Sequence, residues 1–358
     1  MLYSVLKKVN FKEKILIVDS RDKIHEFGSG LNNLKIKLTN KSIENKLFRN
    51  PGLYFGEGYM NQEILIIEGT IEQLMDLITS CYDDFVQNNF IYKIYENFSG
   101  YFKIFQQLNE AVKSKQNVAH HYDLKEDLYK LFLDQDMQYS CAYFHNANIC
   151  LDQAQIDKKK YIINKLQITN NMNVLDIGCG WGGMAIEIAK QTGANVKGIT
   201  LSKNQFNTAS KRAQEEGLSE KISFKIQDYR NETDKYDRIV SVGMFEHVGI
   251  KYFKTYLKKT YDLLKENGVF LLHTIGQRGI PTATSPWIRK YIFPGGYIPS
   301  LSDIVRESEK FNINISDIEI LRFFDCTFSL KNFEQRIQPG RTISGRRDCW
   351  NFERHYVT

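Results

Sequence analysis

A glycine-rich segment in the middle of the chain has the residue types and spacing of a ligand-binding turn. Residues 174–183 read VLDIGCGWGG, in which an apolar strand pattern ends near Asp176 and is followed by Gly178, Gly180 and a helical pattern. Glycine has no Cβ, so the backbone at both glycines can approach a ligand closely. The start of the following helix offers backbone N–H groups that have no intrahelical partner. The segment predicts a site for a polar small molecule, with an ordinary structural turn as the alternative.

The spacing of these glycines separates two kinds of nucleotide site. Dinucleotide-binding folds use GxGxxG and usually place an acidic residue at the end of the second strand. Here the spacing is GxGxG, Asp176 stands two residues before the first glycine, and the next strand pattern ends in Thr200, Leu201 and Ser202. This combination resembles the first motif of the class I S-adenosylmethionine (SAM) methyltransferases. In that family the acidic residue acts near the methionine end of the cofactor.

Polar side chains after the next two strand patterns suit the other parts of such a cofactor. Thr200 and Gln205 carry hydroxyl and amide groups that can meet a ribose. Asp228 can accept a hydrogen bond from the adenine amino group, and the ring of Tyr229 can pack on the base. All three loops follow strands of a predicted parallel sheet, and ligands bind at the carboxyl ends of such strands.

Strand and helix patterns alternate from Asn117 onward, which is typical of a mostly parallel sheet covered by helices. The predicted strands cover residues 174–177, 196–199, 223–227, 238–242 and 268–274. The clearest predicted helices cover residues 184–192 and 203–216. The candidate ligand-binding loops therefore belong to one α/β domain.

The first 90 or so residues read as a small mixed α+β domain. Strands are predicted at 14–18, 34–38 and 63–68, with a turn at Gly28-Ser29-Gly30 and a helix over 70–88. Residues 54–60, YFGEGYM, form a glycine-broken segment with one buried-looking acid, Glu57. The tether that follows is rich in Tyr, Phe and Lys, a pattern that fits helix packing or a lipid interface.

Composition excludes several classes of protein. The 358 residues are 42% hydrophobic with only 6 Pro, which fits two domains with sizeable cores and excludes disordered and fibrous chains. No apolar run approaches the roughly 20 residues that span a bilayer, and the first residues lack a secretory pattern, so we expect a cytoplasmic protein. The 6 cysteines show no CxxC spacing, so no metal site is expected.

Charge is distributed unevenly along the first hundred residues. Residues 1–50 hold 11 Lys and Arg against 5 Asp and Glu, whereas residues 51–100 hold 1 against 8. A nucleic-acid footprint is usually a denser basic cluster, so no nucleic-acid partner is expected. The basic first fifty residues are a candidate docking face for an anionic membrane, and ordinary solvated faces are the alternative.

Seven segments in order resemble the cyclopropane-fatty-acyl-phospholipid synthases, within the mycolic acid cyclopropane synthase-like family of class I SAM-dependent methyltransferases. They are residues 117–144, 174–183, 198–205, 227–230, 243–249, 272–276 and 291–300. The motifs YSCAYF and FEHVG separate this family from other methyltransferases, and YFGEGYM resembles the N-terminal domain of the phospholipid-acting members. The resemblance implies an α/β fold with a Rossmann-like, mostly parallel seven-stranded sheet. It implies a lipid-binding or dimerisation-type domain over 1–92, a linker over 93–116 and a catalytic domain over 117–358.

The activity that the resemblance implies is transfer of a methylene unit from SAM to the cis double bond of an unsaturated phospholipid acyl chain. A methyl cation adds to the alkene, and the resulting carbocation loses a proton and closes the ring. Family members hold a bicarbonate ion as the base. The positions that match its contacts are Glu246, His273, Cys141, Ile275 and Cys326. The positions that match SAM contacts are Tyr122, Tyr139, Ser140, Asp176, Gly178, Gly180, Thr200, Leu201, Gln205, Asp228 and Tyr229.

Two of these assignments have structural alternatives. Glu246 and His273 follow adjacent predicted strands, so their side chains can meet at one sheet edge, whereas a lone histidine is ordinarily a satisfied core residue. Tyr139, Tyr143, Phe144 and Tyr297 are candidates to shield a carbocation with their aromatic faces, or else pack in the core.

The resemblance also implies partners and a location. They are an unsaturated phospholipid in a bilayer, peripheral contact of a cytoplasmic enzyme with the inner face of the membrane, and a homodimer. Two departures lower the expected activity: Cys326 stands where the family has a tyrosine, and the sequence after Gln338 does not align with the family's helical C-terminus. We expect this shortened C-terminus to leave the acyl tunnel partly uncovered. The alternatives are a methyl-branched product, a small-molecule substrate, or a SAM- and membrane-binding protein without turnover.

Overall fold

Contacts within the chain define two compact units. The structure is a computed structural model that describes residues 1–30, 34–90, 126–146, 149–277, 284–311 and 313–321. The first unit contains Met1–Gln106 and also Thr282–Ile292, and the second contains Gln107–Pro281 and Phe293–Cys349. Residues 282–292, which were predicted to lie in a catalytic domain over 117–358, belong to the first unit.

A four-stranded mixed sheet forms the centre of the first unit. Its strands are β1 (Ile15–Val18), β2 (Ile24–Phe27), β3 (Leu34–Leu38) and β4 (Ile64–Glu68), in the order β2-β1-β3-β4. Strand β1 is antiparallel to β2 and parallel to β3, and β4 is antiparallel to β3. Sequence patterns located β1, β3 and β4 but missed β2. In its sequence IHEF, the apolar Ile24 and the polar Glu26 are both exposed, so apolar and polar residues do not alternate as they do in a half-buried strand.

Four helices cover this sheet: α1 (Leu2–Leu6), α2 (Lys41–Arg49), α3 (Pro51–Met60) and α4 (Ile71–Asn88). Helix α4 begins with a capping box, in which the Thr70 hydroxyl accepts from the Gln73 N–H and the Gln73 amide oxygen accepts from the Thr70 N–H. The predicted glycine-broken segment 54–60 is instead part of a continuous helix, because Pro51 starts α3 with a preset φ and packing maintains it.

A five-stranded parallel sheet forms the centre of the second unit. Its strands are β5 (Asn173–Ile177), β6 (Asn195–Thr200), β7 (Ile222–Ile226), β8 (Tyr236–Val242) and β9 (Leu264–His273), in the order β7-β6-β5-β8-β9. All four neighbouring pairs are parallel. These are the five strands that the sequence located, and the α/β fold is confirmed. They are the strands of this sheet in the described residues, and the total of seven stays a prediction.

Helices pack on both faces of this sheet. The described helices of the second unit are α5 (Glu126–Phe132), α6 (Leu151–Leu166), α7 (Gly183–Thr192), α8 (Lys203–Glu215), α9 (Phe253–Leu263) and α11 (Leu301–Ser308); α10 (Pro286–Tyr291) belongs to the first unit. Side chains alternate along each strand, so Val174 packs with one core and Leu175 with the other. The parallel arrangement brings the carboxyl ends of all five strands to one edge. In the described residues, no helix has the length and apolarity to cross a bilayer.

Candidate functional site

A cavity lies at the carboxyl ends of β5, β6, β7 and β8, and the predicted cofactor contacts converge on it. Those that line it are Tyr139, Ser140, Asp176, Gly178, Gly180, Thr200, Leu201, Gln205, Asp228 and Tyr229. They come from four separate stretches of sequence. The sheet brings them together because each stretch follows a strand or, for Tyr139 and Ser140, crosses above the strand ends.

The turn after β5 is built by two glycines with left-handed backbone. Gly178 has a φ of +80°, its N–H donates to the Ile199 carbonyl at 2.9 Å, and an added Cβ would lie 2.7 Å from Met244 Cγ. Gly180 has a φ of +54°, and an added Cβ would meet no described atom within 4 Å. Gly178 is therefore required for packing, whereas Gly180 faces the open space of the cavity.

Asp176 is the most deeply buried acidic group of the cavity wall, with 2% of its surface exposed. Its Oδ2 has no hydrogen-bond partner among the described residues. Burial raises the pKa of this carboxyl to about 7. A buried, unpartnered carboxyl that borders a cavity is suited to bind a ligand that donates hydrogen bonds or carries positive charge.

The hydroxyl and amide groups after β6 form one connected set. The Thr200 hydroxyl donates to Gln205 Oε1 at 2.7 Å and accepts from the Ser202 N–H at 3.2 Å. Ser202 caps α8 by accepting from the Gln205 N–H at 3.2 Å. These bonds fix the side chains at the cavity wall, and leave the Gln205 amide nitrogen as the end of the set that can donate to a ligand.

After β7, the acidic residue has a partner that sequence reasoning did not find. Arg230 holds the Asp228 carboxylate with two hydrogen bonds, Nε to Oδ1 at 2.8 Å and a terminal nitrogen to Oδ2 at 2.9 Å. The Arg230 guanidinium also lies 5.3 Å from the centre of the Tyr229 ring. Asp228 retains lone pairs for a ligand, and Arg230 fixes its orientation. Tyr229 is buried and packs edge-on against Tyr256, so only part of its ring is available to the cavity.

The aromatic candidates separate into one cavity residue and three packing residues. Tyr139 lines the cavity and packs edge-on against Tyr129 and Phe132. Tyr143 stacks on Tyr161 with ring centres 4.8 Å apart, and Phe144 belongs to a separate apolar cluster with Ala142 and Leu151. Tyr297 is fully buried and donates its hydroxyl hydrogen to Asp303 Oδ2 at 2.7 Å. These three residues pack against other side chains and are absent from the cavity wall.

Glu246 follows β8 and His273 ends β9, and these two strands are neighbours in the sheet. The Ile275 N–H, two residues after His273, donates to Glu246 Oε1 at 2.6 Å. Glu246 Oε2 and both ring nitrogens of His273 are buried without a hydrogen-bond partner among the described residues. Burial raises the pKa of Glu246, and burial followed by the charge of Lys158 lowers the pKa of His273 to about 3. His273 is therefore neutral near pH 7, and burial favours the neutral form of Glu246.

Ile275 and Cys141, two of the residues predicted to contact bicarbonate, have different surroundings. The Ile275 N–H is already occupied by Glu246, so Ile275 acts in this structure by orienting that carboxyl. Cys141 is half-buried, next to the cavity residue Ser140. Neither residue lines the cavity, and the same is true of Glu246 and His273. Tyr122 and Cys326 lie outside the described residues.

A family model described as mycolic acid cyclopropane synthetase matches residues 109–342. This covers more than half of the chain. The chain belongs to the mycolic acid cyclopropane synthetase family. A second model, a domain of unknown function (DUF7884), matches residues 2–90, which form most of the first unit.

Curated relatives of this cyclopropane synthetase family member come from several bacteria. The chain is 49% identical over 189 residues to the cyclopropane-fatty-acyl-phospholipid synthase of Escherichia coli strain K12, covering 53% of this chain and 48% of the relative. It is 40% identical over 212 residues to a probable fatty acid methyltransferase of Pseudomonas putida, covering 57% and 54%. The chain thus spans about half the length of the curated relatives it matches.

Solved structures of the same family have a similar fold. The cyclopropane synthase MmaA2 from Mycobacterium tuberculosis is 31% identical with a TM-score of 0.59, covering 63% of this chain and 83% of that one. The mycolic acid cyclopropane synthase CmaA1, solved with S-adenosylhomocysteine (SAH) and CTAB, is also 31% identical with a TM-score of 0.59, covering 65% and 85%. The recognised family and the class I methyltransferase fold are confirmed.

Several cavity residues of this family member were not among the predicted contacts. Trp181 is buried and donates its indole N–H to Asn204 at 3.3 Å, and His247 packs edge-on against Phe293. Gln138 and Met244 complete the wall on either side of the glycine turn. Trp181 lies within the motif GCGWGG, and His247 directly follows Glu246 in the motif FEHVG. Their positions in these motifs were the sequence signal that could have identified them as cavity residues. Their side-chain directions were not readable from one sequence.

Proposed function

We propose that this chain is a cyclopropane-fatty-acyl-phospholipid synthase, which transfers a methylene unit from SAM to the cis double bond of an unsaturated phospholipid acyl chain. The observation that carries the proposal is that Glu246 Oε2 and both ring nitrogens of His273 are buried without a partner among the described residues, at the same sheet edge as the cavity with the predicted cofactor contacts. Family membership and the name of the Escherichia coli relative support the substrate class.

The cavity residues fit SAM by their chemistry. Asp176 lines the cavity, and its Oδ2, which has no hydrogen-bond partner among the described residues, suits a positively charged group. Gln205 and Asp228 supply hydrogen-bond donors and acceptors for a ribose and a base. Tyr122, Tyr139, Ser140, Thr200, Leu201 and Tyr229 are proposed as further contacts, with Gly178 and Gly180 forming the turn. When bound, SAM supplies the methyl group. The protein orients it and excludes water.

Glu246 and His273 fit a small anion such as bicarbonate. Glu246 Oε2 and both ring nitrogens of His273 have no partner among the described residues, and burial favours the neutral form of each side chain, which lowers the repulsion that an anion would meet there. The Ile275 N–H fixes the Glu246 carboxyl, and Cys141 and Cys326 are proposed to complete the site. These residues would place a base next to the reacting carbon, where it removes the proton whose loss closes the ring.

The proposed substrate lies in a membrane, so we propose peripheral contact with the inner face of the membrane by a cytoplasmic enzyme. The proposed domains are a lipid-binding or dimerisation domain over 1–92, a linker over 93–116 and a catalytic domain over 117–358. Binding to anionic vesicles in a sedimentation assay, weaker at high salt, is expected. No binding at either salt concentration would count against membrane contact, and a monomeric sedimentation coefficient would count against the homodimer.

The direct test is an incubation with methyl-labelled SAM and vesicles of unsaturated phospholipid. We expect label in the acyl chains and, by proton NMR, upfield cyclopropane signals in place of olefinic ones. Label without ring signals would support the second candidate, a lipid methyltransferase, which the Pseudomonas putida relative favours. SAM binding without label in any lipid would refute both activities.

A further inference from the structure

Helix α6 carries two adjacent buried lysines whose partners differ. Lys159 is 4% exposed and forms ion pairs with Asp136 at 2.6 Å and Glu187 at 3.2 Å. Lys158 is 2% exposed and donates to a neutral group, the hydroxyl of Ser140, at 2.6 Å. Lys159 has the ordinary surroundings of a structural lysine. Lys158 does not, since a buried ammonium is costly unless it is paired.

The charge of Lys158 persists near neutral pH despite its burial. Burial, and to a smaller extent the charge of Lys159, lowers the pKa of Lys158, whereas the neighbours Asp134, Cys141 and Asp136 raise it; the resulting pKa is about 8. His273 is a further titratable neighbour. Asp134 uses its own oxygens to accept from the N–H groups of Gln138 and Asp136. At pH 7 the ammonium of Lys158 is therefore protonated and lies directly behind the cavity residue Ser140.

This contact fixes the polarity of the Ser140 hydroxyl. A protonated lysine can only donate hydrogen bonds, so Ser140 Oγ must accept from it and the hydroxyl hydrogen must point away from Nζ. The Gln155 amide holds the backbone of the same loop by donating to the carbonyls of Ser140 at 2.9 Å and Gln138 at 3.3 Å. Helix α6 thus fixes both the loop and the direction in which Ser140 can donate.

The order of the strands places Ser140 at one end of the cavity. Residues suited to the base follow β7, those suited to the ribose follow β6, and the glycine turn follows β5. Ser140 lies beyond them, beside Gly243 at the end of β8, where an added Cβ would be 3.3 Å from Ser140 Cβ. On the proposed function, this end receives the methionine part of SAM, whose one anionic group is its carboxylate.

We propose that Lys158 is a positioning residue that orients the Ser140 hydroxyl to donate to the methionine carboxylate of SAM. The inference rests on the proposed function for the identity of the cofactor, and it adds a source of selectivity for the carboxylate. The ammonium behind the hydroxyl polarises it and favours an anion over the amino group of the same ligand.

Isothermal titration at pH 7 with two ligands tests the proposal without measuring turnover. The ligands are SAM and decarboxylated SAM, which keeps the sulfonium and the amino group. Lys158→Met is expected to weaken SAM binding about tenfold, the size of one lost charge-assisted hydrogen bond, and to leave decarboxylated SAM within about twofold. Lys159→Met is the matched control, because it makes the same change at the next buried lysine and is expected to alter both ligands by one common factor.

Ser140→Ala provides a second route if the Lys158 variant does not fold. It removes the hydroxyl and keeps Lys158, and it is expected to weaken the binding of SAM but not of decarboxylated SAM, as Lys158→Met does. In the Ser140→Ala background, Lys158→Met should cause no further selective loss. Equal weakening of both ligands by Lys158→Met or Ser140→Ala would overturn the proposal, whereas absence of SAM binding by the unaltered protein would overturn the proposed function itself.

Discussion

Asp176, Glu246 and His273 share one property at the scale of single residues. Each is buried and has polar atoms without a hydrogen-bond partner among the described residues. Buried polar groups in folded proteins are nearly always paired, so three such residues at the ends of neighbouring strands are the strongest local indication of a binding site. Their types were predicted from motifs, but the absence of protein partners is visible only in the structure.

Asp176 gives a prediction about the pH dependence of stability. Its pKa is about 7 in the folded protein and close to the ordinary 3.8 in the unfolded protein, so the folded state binds the proton more tightly. The stability that this proton contributes is therefore fully present below pH 4 and is lost as the pH rises through 7. Between pH 4 and pH 8, we expect the unaltered protein to lose roughly 2 to 4 kcal/mol relative to Asp176→Asn. Urea unfolding of both proteins at several pH values measures this difference, and parallel curves would contradict it.

Glu246 gives a prediction about catalysis. Glu246→Gln keeps the shape of the side chain but removes its ability to exchange a proton with the proposed base site. We expect turnover to fall roughly 100-fold or more, with SAM affinity by titration nearly unchanged because Glu246 does not line the cavity. Glu232→Gln is the control, since Glu232 is equally buried but paired with Lys197, and it should affect stability rather than turnover.

At the scale of elements, the parallel sheet and helix α6 position the site. Strand register aligns Val174 with Val196 and Asp176 with Gly198, which places the turns after β5 and β6 beside each other. A network of Lys159, Asp136 and Arg212 joins α6, the loop before it and α8. The loop that carries Tyr139 and Ser140 is therefore held by the two helices α6 and α8.

The two glycines of the turn give a paired prediction. Gly180→Ala places a left-handed non-glycine residue whose Cβ points into open space, so we expect a loss of about 1 kcal/mol in stability and weaker SAM binding. Gly178→Ala adds the same backbone strain and a clash with Met244, so its loss of stability should be clearly larger. Chemical unfolding and titration measure both. Equal losses of stability would contradict the assignment of Gly180 to the cavity side.

At the scale of the whole molecule, the uneven charge of the first hundred residues partly cancels within the first unit. Lys35 pairs with Glu68 at 3.4 Å, and Lys46 with Glu63 at 3.3 Å, which joins the basic and acidic stretches of the sequence. The first unit is also discontinuous. Segment 284–292 packs on α3, where Glu57 accepts from Lys290 Nζ at 2.6 Å and from the Tyr291 hydroxyl at 3.0 Å. The buried-looking acid of YFGEGYM is thus a half-buried residue that holds α10.

Gly56 tests how far this unit depends on the distant segment. In an exposed helix, Gly→Ala ordinarily stabilises by about 1 kcal/mol. Here an added Cβ would lie 2.3 Å from Trp287 Nε1, so we expect Gly56→Ala to lower the melting temperature and to make the chain near α10 more sensitive to limited proteolysis. In a Trp287→Ala background the same change should be tolerated. Stabilisation by Gly56→Ala alone would show that the packing is dispensable.

The sequence by itself determined the fold class, the five strands of the parallel sheet and the residues that reach its carboxyl edge. It did so because alternating apolar patterns and glycine turns are local consequences of backbone sterics and burial. Only the tertiary structure decided which side chains are already paired: Arg230 holds Asp228, the Ile275 N–H holds Glu246, and Lys158 lies behind Ser140. It also decided that 284–292 belongs to the first unit. The Glu246 and Lys158 contacts join residues 29 and 18 positions apart, and no local pattern in a single sequence specifies which partner any of these side chains takes.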